Sequence, residues 1–221
     1  LTGAYNYNTE AFWAKFLKDI RYSQAANKEG YVAPTVPAPP GEQGIGFMSM
    51  LGWGNCVCIV PEMLYWQFGK DQYIREYYDC MKAFVDCEIR KMGGLFGKKN
   101  LWVAPSLGDW LAMDAGADSY VGATSNDLIA SAFFAYSAAL LIKAGEAIGE
   151  DVSAYRELRG NVVRAFREYF MENGMPKAKL PCTELPVEGF PICDIFCEGM
   201  TQTALVLILH CMRVYKVHDN S

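Results

Sequence analysis

Histidine is nearly missing from this 221-residue sequence, which has only His210 and His218. A histidine pair for proton shuttling has one candidate member, His210, and a histidine-based metal centre is disfavoured. No Gly-x-Ser-x-Gly turn and no phosphate-binding glycine loop occurs, and Gly44-x-Gly46 lacks the strand-turn-helix setting of a dinucleotide site. Basic residues are few and scattered: 20 Lys and Arg stand against 25 Asp and Glu, for a net charge of −5. That excludes a phosphate-tracking surface and with it nucleic acid as a partner. No stretch of about 18 residues escapes both charge and helix-breaking residues, which argues against a membrane span. A βαβ rhythm is absent, and no internal repeat is legible.

What the sequence has is apolar content. The apolar share is 52% and the charged share 20%, the latter below the typical ~25%. Disorder is thereby excluded, and residues 1–221 read as a single domain, one able to bury roughly 70% of its unfolded surface. Of the eight cysteines, Cys56, Cys58, Cys80 and Cys211 fall in apolar helical patterns and read as small, reduced core residues. Cys193-x3-Cys197, with Cys182, Cys211 and His210 near it in sequence, fits no standard zinc spacing, so neither metal nor cofactor is expected. The cysteine usage favours a reducing, cytoplasm-like setting, with the periplasm as the alternative.

Six helical segments emerge, about 9–26, 55–68, 71–91, 126–148, 151–172 and 201–214. Their charge alternates. The first, third and fifth are amphipathic, with stripes such as Tyr155, Leu158, Val162, Phe166 and Phe170. The second has one charge, Glu62, the fourth none from Leu128 to Ile142, and the sixth is nearly uncharged. In a simple bundle every helix faces solvent on one side and is amphipathic. Alternation instead implies two layers, with helices 2, 4 and 6 inside and buried all round. The fold class is therefore all-α, an α/α toroid resembling an (α/α)6 barrel, with six helices forming about half of one. Pro34 to Gly41 reads as an extended connector, and Asn100 to Ala104 is the best strand.

In such a toroid the inner helices run the same way, so the loops leading into them gather at one end. Those loops hold Trp53 and Asn55, then Asp109 and Trp110 followed by Asp114 and Asp118, then Asp194 and Glu198. Indole planes beside carboxylates suit a sugar, whose apolar face stacks while its hydroxyls hydrogen-bond. Hydrolysis of a glycosidic bond would need two suitably separated carboxyl groups. Asp109, or Asn126 and Asp127, could equally cap helices, and a Trp beside glycine could anchor packing.

At these loops the sequence resembles glycoside hydrolase family 78, the bacterial α-L-rhamnosidases. The resemblance is carried by Tyr5-Asn6, Phe12-Trp13 through Asp19-Ile20, Trp53-Gly54-Asn55, Val60-Pro61 and Leu64-Tyr65. It continues through Gly108-Asp109-Trp110-Leu111, Asp127 to Ala130, Ala135 to Ser137 and Thr201-Gln202-Thr203-Ala204. The resemblance implies a twelve-helix barrel and inverting hydrolysis of terminal α-L-rhamnosides by a glutamate acid and a glutamate base. It also implies a rhamnose pocket lined by Trp53 and Trp110, with Asp109 close by. The family's acid motif ends in Gly-Trp-x-Gly-Asp, and Leu1 to Ala4 resembles its trailing edge without the Asp. The base follows the Thr-Gln-Thr-Ala helix at a distance. Both catalytic residues are thus expected outside this segment, which reads as the central part of the domain. Asn55 stands where the family often has Asp, and the Leu180–Glu198 stretch is longer than usual and unassigned.

The expected substrate-binding residues are Trp53, Asn55, Asp109 and Trp110, with a rhamnoside as partner and self-association through the open flank of the half barrel. If the chain alone were active, Glu184, Glu188, Asp194 and Glu198 would be the first catalytic candidates. The alternatives are an inactive carbohydrate-binding or scaffolding domain and another toroid sugar enzyme, such as an epimerase.

Overall fold

The computed structural model describes residues 2–27, 29–38, 51–92, 98–103, 106–115, 121–183 and 196–212. A short 3-10 turn, Thr2–Asn6, precedes α1 (Glu10–Asn27). Then come α2 (Cys56–Phe68), α3 (Gln72–Met92), α4 (Asn126–Ile148), α5 (Ser153–Phe170) and α6 (Gln202–Cys211). Ser125 caps α4 by accepting from the Leu128 N–H, Thr201 caps α6 through Ala204, and Gly69 closes α2 at a left-handed φ of 66°.

The expected layering is present. Helix α4 packs against α2, α3, α5 and α6, while α1 packs on α2 and α3. The inner helices run in one direction. Asn55 at the start of α2 meets Phe133 and Ser137 of α4, and Glu62 further along meets Lys143. Likewise Thr201 at the start of α6 meets Thr124, and His210 near its end stacks on Tyr136. The outer helices turn one apolar stripe inward: Leu17 and Ile20 on α1, Phe84 and Val85 on α3, and Phe166 and Phe170 on α5 are buried. Each such side chain contributes about 1.5–3 kcal/mol relative to an exposed position.

Several details differ from the sequence reading. Helix α4 is not covered all round: Phe133, Tyr136, Ala139 and Ile142 form a half-buried stripe at helical spacing. Helix α6 buries only Ala204 and Cys211, leaving Val206 57% and Leu209 71% exposed. Tyr136, Ala139 and Ile142 of α4 face a groove bordered by α2, α5 and α6. Within it is a cavity of about 720 Å³ lined by Trp66, Tyr136, Ile142, Lys143, Arg159 and His210, among others. Helix α4 is also long and apolar enough to cross a membrane, yet 78% of that window is buried in this chain, as for a core helix.

The sheet is minor. Strands β1 (Met171–Glu172) and β2 (Met175–Pro176) form a hairpin, and β3 (Lys179–Pro181) pairs antiparallel with β4 (Phe196–Glu198). The hairpin turns at Asn173-Gly174, both at positive φ, and ends α5 two residues before the sequence reading does. The strand expected from Asn100 is reduced to a single bridge between Lys98 and Leu101, because Asn100 adopts φ 64° and turns the chain. Among the cysteines, Cys182 and Cys197 are buried, while Cys193 lies outside the described residues, as do Gly44, Gly46 and His218.

Two outer-layer tyrosines give the fold a pH dependence. Tyr77 is pushed up to about 12 by burial and by the Glu76 charge. Tyr155 is pushed up to about 12 by burial and by its 2.7 Å hydrogen bond to Asp86. An unfolded tyrosine ionises near pH 10, so this stability is complete below about pH 10 and is lost as pH rises toward 12. Urea midpoints should fall across that window together with the rise of tyrosinate absorption; constant midpoints would refute the assignment.

Candidate functional site

Three loops meet at the ends where the inner helices begin. The first is the 51–55 turn ahead of α2. Its Trp53 is 40% exposed, and its indole N–H donates to the Gly108 carbonyl at 3.3 Å. The second loop thus receives Trp53 one residue before Asp109 and two before Trp110. Trp110 is half-buried and bridges Val121, while the Gly122 N–H donates to the Asp109 carbonyl at 2.9 Å. The third loop leads into α6, where the Thr203 hydroxyl donates to Asp109 Oδ2 at 3.4 Å. Thr124 and Thr201 share a 2.6 Å hydroxyl contact. Trp53, Asp109 and Trp110 therefore belong to one rim.

Asn55 is on the same turn but points elsewhere. It is fully buried, and although it occupies the cap position of α2, its side chain makes no cap bond. Its Oδ1 accepts from the Gly52 N–H at 2.6 Å, and its Nδ2 donates to the Phe133 carbonyl at 3.2 Å and to Ser137 Oγ at 2.6 Å. Both amide hydrogens are thus spent on α4. The surroundings are dry: burial pushes the Cys56 thiol up to about 11 and the Cys58 thiol higher still.

Beneath the second loop, buried Asn126 donates to the Ser106 carbonyl at 3.3 Å, and its Oδ1 lies against Gly108, whose φ is +56°. A Cβ at position 108 would overlap that oxygen. Asp127 is completely buried and accepts from the Thr183 backbone N–H at 3.2 Å and hydroxyl at 2.9 Å. Its charge, with burial as the larger cause, raises the Tyr169 phenol. Neither Asn126 nor Asp127 caps α4; Ser125 does.

Among the remaining carboxylates, Asp114 is exposed on the second loop. Glu198 is exposed on β4, its backbone paired with Ala123 and Ser125 beside the start of α4. Asp118, Glu184, Glu188 and Asp194 lie outside the described residues. Among the described residues no group of three or more His, Cys, Asp or Glu side chains is placed to hold a metal ion. The rim offers stacking surface and hydrogen-bonding groups, the equipment for orienting a polyhydroxylated ring. The sequence marks Gly108 and Thr203 only as members of the Gly108–Leu111 and Thr201–Ala204 runs and Asn126 only as a candidate helix cap, so their parts in the rim are not legible there.

Residues 1–219 match the family described as bacterial alpha-L-rhamnosidase 6 hairpin glycosidase domain. An alpha-L-rhamnosidase of Formosa agariphila is 31% identical over 178 residues, covering 80% of this chain and 18% of that protein. The solved structure of Streptomyces avermitilis alpha-L-rhamnosidase complexed with L-rhamnose superposes with a TM-score of 0.61 at 26% identity, over 76% of this chain and 15% of that one. The native rhamnosidase structure from Aspergillus terreus gives a TM-score of 0.64 at 27% identity, over 76% and 19%. The chain thus spans less than a fifth of each of these three relatives.

Proposed function

The chain belongs to the bacterial alpha-L-rhamnosidase 6-hairpin glycosidase family, and from that premise we propose that it contributes part of the sugar site of an enzyme hydrolysing terminal α-L-rhamnosides. The observation that carries this reading is the convergence of Trp53, Asp109 and Trp110 on one rim through the Trp53–Gly108 and Thr203–Asp109 hydrogen bonds. Trp53 and Trp110 supply stacking surface for the apolar face of rhamnose, and Asp109 accepts from its hydroxyls. Asn55 serves the site from behind. The acid and base of an inverting reaction come from parts of the parent protein outside these residues, in keeping with the small share of the relatives that the chain spans.

The test uses the pure 221-residue chain. Calorimetry with L-rhamnose should show binding that Trp110→Ala removes, while an aryl α-L-rhamnoside should be hydrolysed at a negligible rate. No binding would sink the sugar-site reading. Hydrolysis lost in Trp110→Ala would instead place the acid and base within the chain and turn attention to Glu184, Glu188, Asp194 and Glu198.

The uncovered side of α2, α4 and α6 belongs to the same reading, as a face that further helices cover in the parent protein. In their absence the chain should self-associate through Trp66, Val206 and Leu209, which are 68%, 57% and 71% exposed. Light scattering should show species larger than 24.6 kDa, shifting toward monomer in Trp66→Asp/Leu209→Asp. A wild-type monomer would show that this face tolerates water.

A further inference from the structure

We infer that Asn55 is a positioning residue for Trp53, fastening the turn that carries the indole to α4 and so setting where that ring stands on the rim. The inference rests on the reading of Trp53 as a sugar-stacking residue, although its geometry stands by itself.

Trp53 sits between two anchors. On one side its indole N–H donates to the Gly108 carbonyl at 3.3 Å, a contact made by the ring and not by the backbone. On the other side the turn is held by the Asn55 amide, with the Cys56 thiol donating to the Gly54 carbonyl at 3.6 Å. Asn55 Oδ1 takes the Gly52 N–H at 2.6 Å, the residue just before Trp53. Asn55 Nδ2 reaches across 78 residues of sequence to the Phe133 carbonyl and across 82 to Ser137 Oγ. One amide thereby links the turn preceding one inner helix to two successive turns of its neighbour.

The partner set also selects the residue type. The Phe133 carbonyl can only accept a hydrogen bond, so position 55 must offer a donor there while offering an acceptor to Gly52. An amide does both. An ionised carboxylate would set a second acceptor 3.2 Å from the carbonyl oxygen in a fully buried place. Asn55 therefore spends its hydrogen-bonding capacity on the scaffold, and its influence on a ligand passes through the indole two residues earlier.

The experiment labels the chain with 5-fluorotryptophan and follows its fluorine resonances, with Trp53 assigned by its disappearance in Trp53→Phe. Asn55→Ala should shift and broaden the Trp53 resonance while those of Trp13 on α1 and Trp66 at the far end of α2 stay in place. Ser137→Ala removes one partner without touching the rim, and should move the same resonance in the same direction even if Asn55→Ala folds poorly. L-rhamnose titration is then expected to show at least a tenfold weaker affinity in Asn55→Ala. The Asn55→Ala/Trp53→Ala pair should lose no more affinity than Trp53→Ala alone. A Trp53 resonance unmoved in both variants, or additive losses, would overturn the positioning role. If the wild-type chain ignores L-rhamnose while Asn55→Ala and Ser137→Ala still move Trp53, the sugar-site reading falls and the positioning role stands.

Discussion

Gly108→Ala is expected to cost the chain about 2–5 kcal/mol of stability and to remove the L-rhamnose binding proposed for the rim. Two effects combine. At φ +56° an L-residue pays for a left-handed backbone, a term of about 1–2 kcal/mol. The new Cβ would also overlap Asn126 Oδ1, and Asn126 is only 4% exposed and tied to the Ser106 carbonyl. Displacing it breaks a buried hydrogen bond, which costs roughly 1–3 kcal/mol. The loop must then move, and with it the carbonyl that holds Trp53 and the two residues that follow, Asp109 and Trp110. Gly69→Ala provides the control, since Gly69 has a φ of +66° but open space where its Cβ would go. Urea unfolding should show Gly108→Ala losing clearly more than Gly69→Ala, and calorimetry should show sugar binding lost in the first and kept in the second. Equal losses would mean that the overlap with Asn126 is relieved without consequence.

The second large effect is expected in the core. Phe134→Ala should destabilise the chain by about 3–5 kcal/mol, a substantial fraction of the roughly 5–15 kcal/mol that holds a domain folded. Phe134 is completely buried on α4, the helix that touches α2, α3, α5 and α6, so the void opens where the two layers join. Phe133, one residue earlier, is half-buried on the uncovered stripe. Phe133→Ala should cost a third as much or less, and comparable urea midpoints for the two variants would contradict this orientation of α4.

This pair also marks where the sequence stops being legible. Helix boundaries were readable because Ser125, Thr201 and Gly69 act locally, through bonds to residues three or four positions away. The layering was readable because charge cannot be buried cheaply, so its alternation along the chain survives as geometry. Which face of α4 lies open was not readable, because an uncharged helix has no polar side to betray its orientation. For α6 the letters describe a buried helix, whereas cover on one flank is missing among the described residues. The rim was legible as three loops. Its internal wiring was not: Asn55 on Phe133 and Ser137, Asp127 on Thr183 and Thr203 on Asp109 all join residues more than 50 positions apart.

The parallel course of the inner helices has a kinetic consequence. Two neighbours that run the same way cannot be joined by a short turn, so the chain passes through an outer helix between one inner helix and the next. The bonds closing the rim accordingly span 55, 77 and 94 residues. Loop-closure entropy weighs against such contacts until the intervening segments are compact. Helix pairs adjacent in sequence, α2 with α3 and α4 with α5, can form first and supply the platform. The rim is then expected to order after those helix pairs during folding.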